Sequence, residues 1–250
     1  MSWFDNALGC SFFFFIFIFF VVTDISYIPN RVDGVLVRWE LGGKVLCCTT
    51  DQASNIKKAM SELNSESGIK WSACASHKLQ LCVTYAFSNT ESVKVIFDKC
   101  AALSMTFRNV EHAARVLEKA QLELNAEKHA VKPKVFTPIR WNSKFDMATR
   151  LSRLLPAISE VLDNAKQGST ANDRLLQKDV EPNILTEHET LVLTEVLSVL
   201  EPASKVTQSL SADRQSTISR EYAEVHNMIN THDDLITAEA QEFRNKLVAQ

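Results

Sequence analysis

The sequence predicts a mainly α-helical protein with a small α/β part near its N-terminus. The 250 residues include only 6 Gly and 6 Pro, a content that disfavours a loop-rich all-β fold. One apolar stripe recurs at helical spacing through residues 91–124, and it is the clearest pattern in the chain. A single β-rich apolar run, "KVLCCTT" at 44–50, predicts a buried strand. Together these features indicate a short α/β segment followed by a long helical region.

The α/β segment alternates predicted helices and strands. A helix at 30–41 precedes the strand at 44–50, a short helix at 52–63 follows it, and a second strand candidate lies at 69–74. Residues 76–87 then predict another helix. These five elements make up the α/β part of the chain.

The helical region opens with one long predicted helix over 91–124, which the two prolines of 129–139 end. The apolar stripe resumes after Asn142 and predicts a second long helix. Residues 164–183 are polar and contain "QGSTAND", so they predict a loop or linker. The first stripe consists of Val93, Ile96, Cys100, Leu103, Phe107, Val110, Ala114 and Leu117, and the second of Ala148, Leu151, Leu155, Ile158 and Leu162.

Further helices are predicted after residue 183. Thr186 and Glu189 form a capping-box pattern, which marks a helix start. Pro202 is expected to kink or interrupt that helix, and the tail at 236–250 is helix-prone. The helix after the capping box contains Leu193, Leu197 and Leu200, and a last amphipathic helix contains Ile218, Tyr222, Val225 and Ile229.

Charge is distributed unevenly along the chain. Residues 30–160 contain 19 Lys and Arg against 13 Asp and Glu, whereas residues 161–250 contain 8 against 15. A polyanion would therefore meet the first half of the chain. Ordinary solvated helix faces explain the same asymmetry equally well, and both interpretations stay open at this point.

The six cysteines form no metal-binding or disulfide pattern. None lies in a C-x-x-C pair, and a chain of 250 residues can build a core without disulfide bonds. We expect reduced thiols in a nuclear or cytoplasmic protein that is not secreted. The six are Cys10, Cys47, Cys48, Cys74, Cys82 and Cys100.

The run "FFFFIFIFFVV" at 12–22 is the only low-complexity stretch. It is shorter than the roughly 20 apolar residues that span a bilayer, and residues 1–11 contain no Lys or Arg for a signal peptide. We expect no membrane association, with an apolar anchor as the alternative. Residues 1–28 are expected to lie outside the ancestral domain.

Six short segments occur in a recognisable order along the chain. They are "TTDQASN" (49–55), "CASHKLQL" (74–81), "FRNV" (107–110), "RWNSKFDM" (140–147), "LTEHET" (185–190) and "LEPASKVTQSLS" (200–211). Over about residues 30–235 this order resembles the hAT family of transposases, in the branch related to BED-zinc-finger proteins. Gln52, Thr190 and Ala203 depart from the family pattern, which has Asn, Trp and Phe at these places.

The resemblance implies a partial ribonuclease H-like sheet followed by an all-helical insertion region. It places the α/β segment at 29–88, the helical insertion at 89–235 and a tail at 236–250. The fold class expected is therefore mainly α with a small α/β part.

In the hAT family a triad of two aspartates and a glutamate holds two divalent metal ions, and Asp51 matches the second acid. Two hard cations about 4 Å apart clamp the attacking and leaving oxygens of a phosphodiester, and they need oxygen ligands. Asp24 and Asp33 lack the strand context of the first acid, and the third would lie beyond Gln250. We therefore expect no metal cofactor, with Mg²⁺ or Mn²⁺ only where a full triad exists. The alternative role for Asp51 is to cap the following helix.

Cys74 and His77 form the "C-x-x-H" part of the second segment, which in the family helps to build the core beside the catalytic strand. Half of a zinc site is the alternative, but a structural zinc needs four ligands and no second pair follows at finger spacing. Because the sequence has no BED finger, finger-type DNA recognition is excluded. We expect a structural role for both residues.

Arg140 and Trp141 match a family segment whose tryptophan stacks on a base flipped out of the DNA. A tryptophan face holds an unstacked base and an adjacent arginine holds phosphate, and Lys144 completes the predicted DNA-binding set. The alternative is that Trp141 packs in the core, at a helix start capped by Asn142 or Ser143. The surrounding basic stretch contains Lys132, Lys134, Arg140, Lys144, Arg150 and Arg153.

The sequence therefore predicts a transposase-derived protein that is catalytically inactive and binds DNA weakly and non-specifically, or binds a protein partner or itself. One alternative is an active metal-dependent transposase of which this sequence is only a part. The other is a helical protein–protein interaction module that uses the amphipathic helices at 91–124 and 143–163.

Overall fold

A computed structural model describes residues 27–41, 43–45, 47–124, 129–137, 140–210, 223, 225–228 and 234–249. These residues are mainly α-helical and include a two-stranded parallel sheet, which confirms the coarse fold class predicted from the sequence. The Phe-rich run lies outside the described residues. So do three of the four residues predicted for the last amphipathic helix, of which only Val225 is described.

The chain divides into two compact units. Unit 1 contains the described residues up to Lys78, together with Leu210, and unit 2 contains Leu79–Ser209 and the described residues from 223 onward. The division falls inside a helix, before the boundary expected at residue 88. The C-terminal residues belong to unit 2.

Unit 1 contains helix α1 (Tyr27–Arg38), strand β1 (Cys47–Thr50), helix α2 (Ser54–Ser67) and strand β2 (Lys70–Ala73). β1 and β2 pair in parallel, and α2 connects them. Parallel strands need such a crossover, because the chain must return to the same end of the sheet before the second strand begins. Both strands lie inside the runs predicted from the sequence.

The core of unit 1 is formed mainly by the apolar faces of α1 and α2. The two helices contact each other, and α2 also contacts β2. α2 ends at Gly68, which has a φ of 67° and donates its N–H to the carbonyl of Asn64. Glycine adopts this left-handed conformation without a Cβ clash, so it is a common helix terminator. The buried residues are Val32, Leu36, Ile56, Ala59, Met60, Leu63 and Ile69.

The prediction that β1 is a buried strand is wrong. Cys47, Cys48 and Thr50 are half-buried, and Thr49 is exposed. A parallel strand is fully buried when helices cover both sheet faces and further strands flank it. Within the part of the chain that the structure describes, β1 has only β2 beside it.

Unit 2 is helical. The elements with described bounds are α3 (Ala75–Asn89, which begins in unit 1), α4 (Glu91–Asn109), α5 (Glu111–Leu124), α6 (Trp141–Gln167), α7 (Ala171–Val180), a 3₁₀ turn (Glu181–Asn183), α8 (Glu187–Leu210) and α9 (Ala238–Val248).

The central element of unit 2 is α4. It contacts α5, α6, α7 and α9, and it buries Phe97, Leu103 and Phe107 almost completely. Cys100 lies in the same core, and burial raises the pKa of its thiol to about 12, so the thiol is protonated at neutral pH.

The prediction of one helix over 91–124 is wrong, because the chain breaks at Val110. This residue is extended (φ −92°, ψ 111°) and exposed, so the apolar stripe ends at Phe107. α5 then buries a face that includes Ala113 and Leu117, of which only Leu117 belongs to the predicted stripe. α5 packs against both α4 and α6, which an unbroken helix could not do. Glu111 in the first turn of α5 suits the positive end of a helix dipole and marks this start in the sequence.

The prediction that residues 164–183 form a loop is also wrong. α7 begins after Thr170, whose hydroxyl accepts the N–H of Asp173 at 3.2 Å, while Oδ2 of Asp173 accepts the N–H of Thr170 at 2.9 Å. This reciprocal capping box is a helix-start signal that the polar composition obscures. Leu176 and Val180 lie one turn apart and are the buried face of α7.

α8 begins with the predicted capping box and continues past its proline. The N–H of Thr186 donates to Glu189 at 2.8 Å, and the N–H of Glu189 donates to the Thr186 hydroxyl at 3.1 Å. Pro202 does not interrupt the helix, which extends to Leu210. Residues on both sides of Pro202 are buried, so tertiary packing offsets the backbone hydrogen bond that the proline removes.

A buried carboxylate on α8 holds the start of the C-terminal helix α9 in place. Glu195 on α8 accepts the N–H of Ile236 at 2.8 Å, the N–H of Thr237 at 2.9 Å and the hydroxyl of Thr237. Burial raises the pKa of Glu195, but these hydrogen bonds outweigh it and hold the pKa below its ordinary value. Phe243 of α9 packs edge-on against Phe87, with ring centroids 5.0 Å apart.

We predict that Glu195→Ala destabilises the protein at pH 7 by about 1–3 kcal/mol, because three donors lose their acceptor. Glu201→Ala, an exposed site on the same helix, should change stability by less than about 0.5 kcal/mol. Because the folded pKa of Glu195 is depressed, its contribution is present above the unfolded pKa of about 4.3 and disappears as pH falls through the folded value. Urea unfolding at several pH values measures both effects. A difference between wild type and Glu195→Ala that does not shrink at low pH would contradict this account.

Candidate functional site

Asp51 lies at the exposed end of β1. Its Oδ1 accepts the N–H of Ala53 at 3.1 Å, which closes a short turn just before α2. The N-cap of α2 is Ala53, with no side-chain cap, so the alternative that Asp51 caps the helix itself is wrong. Among the described residues, no group of three His, Cys, Asp or Glu side chains is arranged to hold a metal ion.

Cys74 and His77 lie where β2 passes into α3. The N–H of Cys74 donates to the carbonyl of Thr50 at 2.7 Å, which extends the pairing of the two strands by one hydrogen bond. Both side chains are half-buried, and Cys74 is a free thiol. The structural role expected for both residues stays a prediction.

A pocket of about 310 Å³ lies in unit 2 around the start of α6. Residues from α3, α4 and the segment before α6 line it together with α6 itself, and we call it the cationic pocket. All three residues of the predicted DNA-binding set are in its wall. The lining consists of Gln80, Thr84, Phe87, Ser88, Lys94, Asp98, Phe136, Thr137, Arg140, Trp141 and Lys144.

Trp141 is almost completely buried, with 4% of its surface exposed. Its backbone N–H donates to Oε1 of Gln80 at 3.2 Å, which joins the start of α6 to α3. Its ring is tilted against Phe145, with centroids 6.2 Å apart. In this conformation the indole packs in the core, as the alternative interpretation of the sequence expects, and Trp141 is also one of the residues that line the pocket. The indole Nε1 has no hydrogen-bond acceptor among the described residues.

Lys144 is fixed between two aromatic rings at the pocket wall. Its Nζ lies 5.1 Å from the centroid of Phe87 and 5.4 Å from that of Phe136. Cation–π attraction of this kind orients an ammonium group without neutralising its charge. Arg140 is exposed at the N-cap of α6. Both cations therefore keep their charge available to a ligand.

The alternative in which Asn142 or Ser143 caps α6 is wrong. The helix begins at Trp141 with Arg140 as N-cap. Ser143 instead fastens the preceding segment, since its hydroxyl accepts the N–H of Thr137 at 3.1 Å and lies 2.7 Å from the carbonyl oxygen of the same residue. Asn142 donates to the hydroxyl of Ser204 on α8 at 3.3 Å. These contacts hold the pocket wall against the rest of unit 2.

The basic stretch of the sequence only partly coincides with the pocket. Lys134 pairs with Asp146 at 2.9 Å, so its charge is locally compensated. Lys94 and Asp98 of α4 complete the charged lining. The sequence interpretation missed both, because they lie more than forty residues before Arg140 and no local motif connects them.

No model of a known protein family matches this chain, and no curated protein is similar enough to match. None of the helices within the described ranges is long and apolar enough to cross a membrane.

We predict that Trp141→Ala costs about 3–5 kcal/mol of stability, because it removes a large buried side chain at the junction of α3 and α6. Trp39→Ala is the matched control, since Trp39 is 67% exposed and should change stability by less than about 0.5 kcal/mol. Thermal unfolding followed by circular dichroism gives both values. Equal, small effects of the two substitutions would show that the indole of Trp141 is not a core residue.

Proposed function

We propose that this chain is a hAT transposase-derived protein that binds nucleic acid weakly and without sequence preference through the cationic pocket, and does not cut it. The observation that carries the proposal is the convergence of Arg140, Trp141 and Lys144 with Lys94 at one pocket. Such a protein would act in the nucleus or the cytosol.

The pocket has the properties that a nucleic-acid backbone needs. Three cations from two helices and one connecting segment surround it, and hydroxyl groups of Thr84, Ser88 and Thr137 add hydrogen-bond partners. Contacts to phosphate carry no sequence information, so binding of this kind is non-specific. Three cations at one pocket also supply only modest affinity, which is lost as salt rises.

The family assignment is supported by the ordered segments and by where they lie. Asp51 follows a strand of a parallel pair and precedes a helix, which is the local context that the resemblance implies. The proposal of inactivity is supported by the described residues, among which no group of three His, Cys, Asp or Glu side chains is arranged to hold a metal ion. Asp33 lies in helix α1 rather than on a strand, so it lacks the position of the first acid.

We predict that single-stranded DNA binds at low salt and that its affinity falls about tenfold to twentyfold between 50 and 200 mM salt, the dependence expected when about three cations neutralise phosphate charge. Arg140→Gln should weaken binding and flatten this salt dependence, because one contact is lost. Fluorescence anisotropy at several salt concentrations measures both. Absence of binding at the lowest salt would contradict the proposed function and favour a protein–protein module.

We also predict no metal-dependent cleavage of supercoiled plasmid with Mg²⁺ or Mn²⁺, and no difference between wild type and Asp51→Asn. Agarose gels resolve the nicked and linear products. Cleavage that disappears in Asp51→Asn would show that Asp51 belongs to a working metal site. The amide substitution keeps an oxygen acceptor for the N–H of Ala53, so it tests the charge rather than the turn.

A further inference from the structure

We infer that the cationic pocket takes a phosphate monoester, the group found at the end of a nucleic-acid strand and on a free nucleotide. This inference rests on the proposed nucleic-acid binding and names the ligand group of the same site. The features that favour a monoester over an internal phosphodiester are the charge, the free donors and the size of the pocket.

The charge of the lining matches a monoester. Lys94, Arg140 and Lys144 contribute three positive charges and Asp98 one negative charge, which leaves a balance of about +2. A phosphate monoester carries about −1.5 to −2 at pH 7. An internal phosphodiester carries only one negative charge, so it leaves about half of the positive charge of the lining unmatched.

The cations are free to meet such a ligand. Arg140 and Lys144 form no ion pair with another described residue, and Lys144 is already held in place by Phe87 and Phe136. Lys94 pairs with Glu91 at 3.3 Å, but both side chains are largely exposed, at 47% and 72%. A surface pair of this kind contributes little, so Lys94 can exchange it for a phosphate.

Neutral donors surround the cations. Ser88 and Thr137 each add a hydroxyl-bearing side chain to the lining, whereas the hydroxyl of Thr84 already donates to the carbonyl of Gln80 at 2.8 Å. The pocket also lies at the start of α6, a helix of 27 residues whose N-terminus favours negative charge. A terminal phosphate presents three oxygens to these donors, one more than an internal phosphate has free.

The volume of the pocket suits one small group. Its volume of about 310 Å³ is at the lower end of the roughly 300–1,000 Å³ that is usual for small-molecule sites. Asp98 then restricts the orientation of the ligand, because phosphate oxygens avoid its carboxylate while ribose hydroxyl or base N–H groups can donate to it. Removal of this one negative charge should therefore tighten phosphate binding.

The test compares short oligothymidylates that differ only in a 5′-phosphate or a 5′-hydroxyl, each labelled at the 3′ end, by fluorescence anisotropy with the full chain. We expect the phosphorylated strand to bind about tenfold more tightly, the gain of one charge-assisted contact. Arg140→Gln and Lys144→Gln should bring the ratio of the two affinities close to one. Asp98→Asn should raise the affinity for the phosphorylated strand several-fold.

The matched control is Arg153→Gln, an exposed arginine of the same helix that does not line the pocket. Arg153→Gln should lower the affinity for both strands if the basic stretch attracts DNA diffusely. The ratio of the affinities for the phosphorylated and the unphosphorylated strand should stay unchanged. Arg140 is exposed, so Arg140→Gln keeps the test valid even where Lys144→Gln disturbs packing against the two rings. Circular dichroism of each variant checks that it is folded.

A competition experiment distinguishes a strand end from a free nucleotide as the source of the phosphate monoester. Displacement of the labelled strand by thymidine monophosphate, but not by thymidine, shows that the monoester alone is sufficient, whereas preference without displacement shows that a strand end is required. Equal affinity of wild type for the two strands would overturn this inference and leave the proposed function standing. Failure to bind either strand would overturn both.

Discussion

Burial of helix α4 on several sides at once is the constraint on which unit 2 depends. Phe97, Leu103 and Phe107 are buried almost completely, and each contributes about 1.5–3 kcal/mol by leaving water. Because α5, α6, α7 and α9 all contact this one helix, their positions follow from how their own apolar faces fit against it. The break at Val110 is one consequence, since α5 can reach α4 and α6 only if the chain turns there.

The same packing places the pocket. Phe87 is buried between Phe97 of α4 and Phe243 of α9, with ring centroids 4.8 and 5.0 Å away, and it also meets the ammonium group of Lys144. One aromatic ring therefore belongs both to the core and to the wall of the cationic pocket. The hydrogen bonds that Glu195 accepts from the residues just before α9 help to hold Phe243 against this ring. Most of the lining of the cationic pocket therefore comes from helices α3, α4 and α6, and the segment before α6 contributes Phe136, Thr137 and Arg140.

Much of the fold could be predicted from local patterns. Steps of three and four locate the buried faces of α4 and α6, and the pair Thr186 and Glu189 locates the start of α8, because helix caps and amphipathic faces depend on neighbours within a turn or two. The wrong predictions arise where a stronger pattern in the sequence concealed a helix start or a turn. The polar composition around α7 concealed its capping box, and the continuous stripe across Val110 concealed a turn that depends on packing against α6.

The sequence by itself determined most of the helical segments, that a short strand ends just before Asp51, and that Arg140, Trp141 and Lys144 lie together at a helix start. These are properties of residues close together in the chain. Only the tertiary structure decided that Trp141 is buried, that Lys144 lies over Phe87, and that Lys94 and Asp98 reach the same pocket. Such contacts join residues from separate helices, and the free energy that selects them comes from packing whole apolar faces rather than from any single local motif.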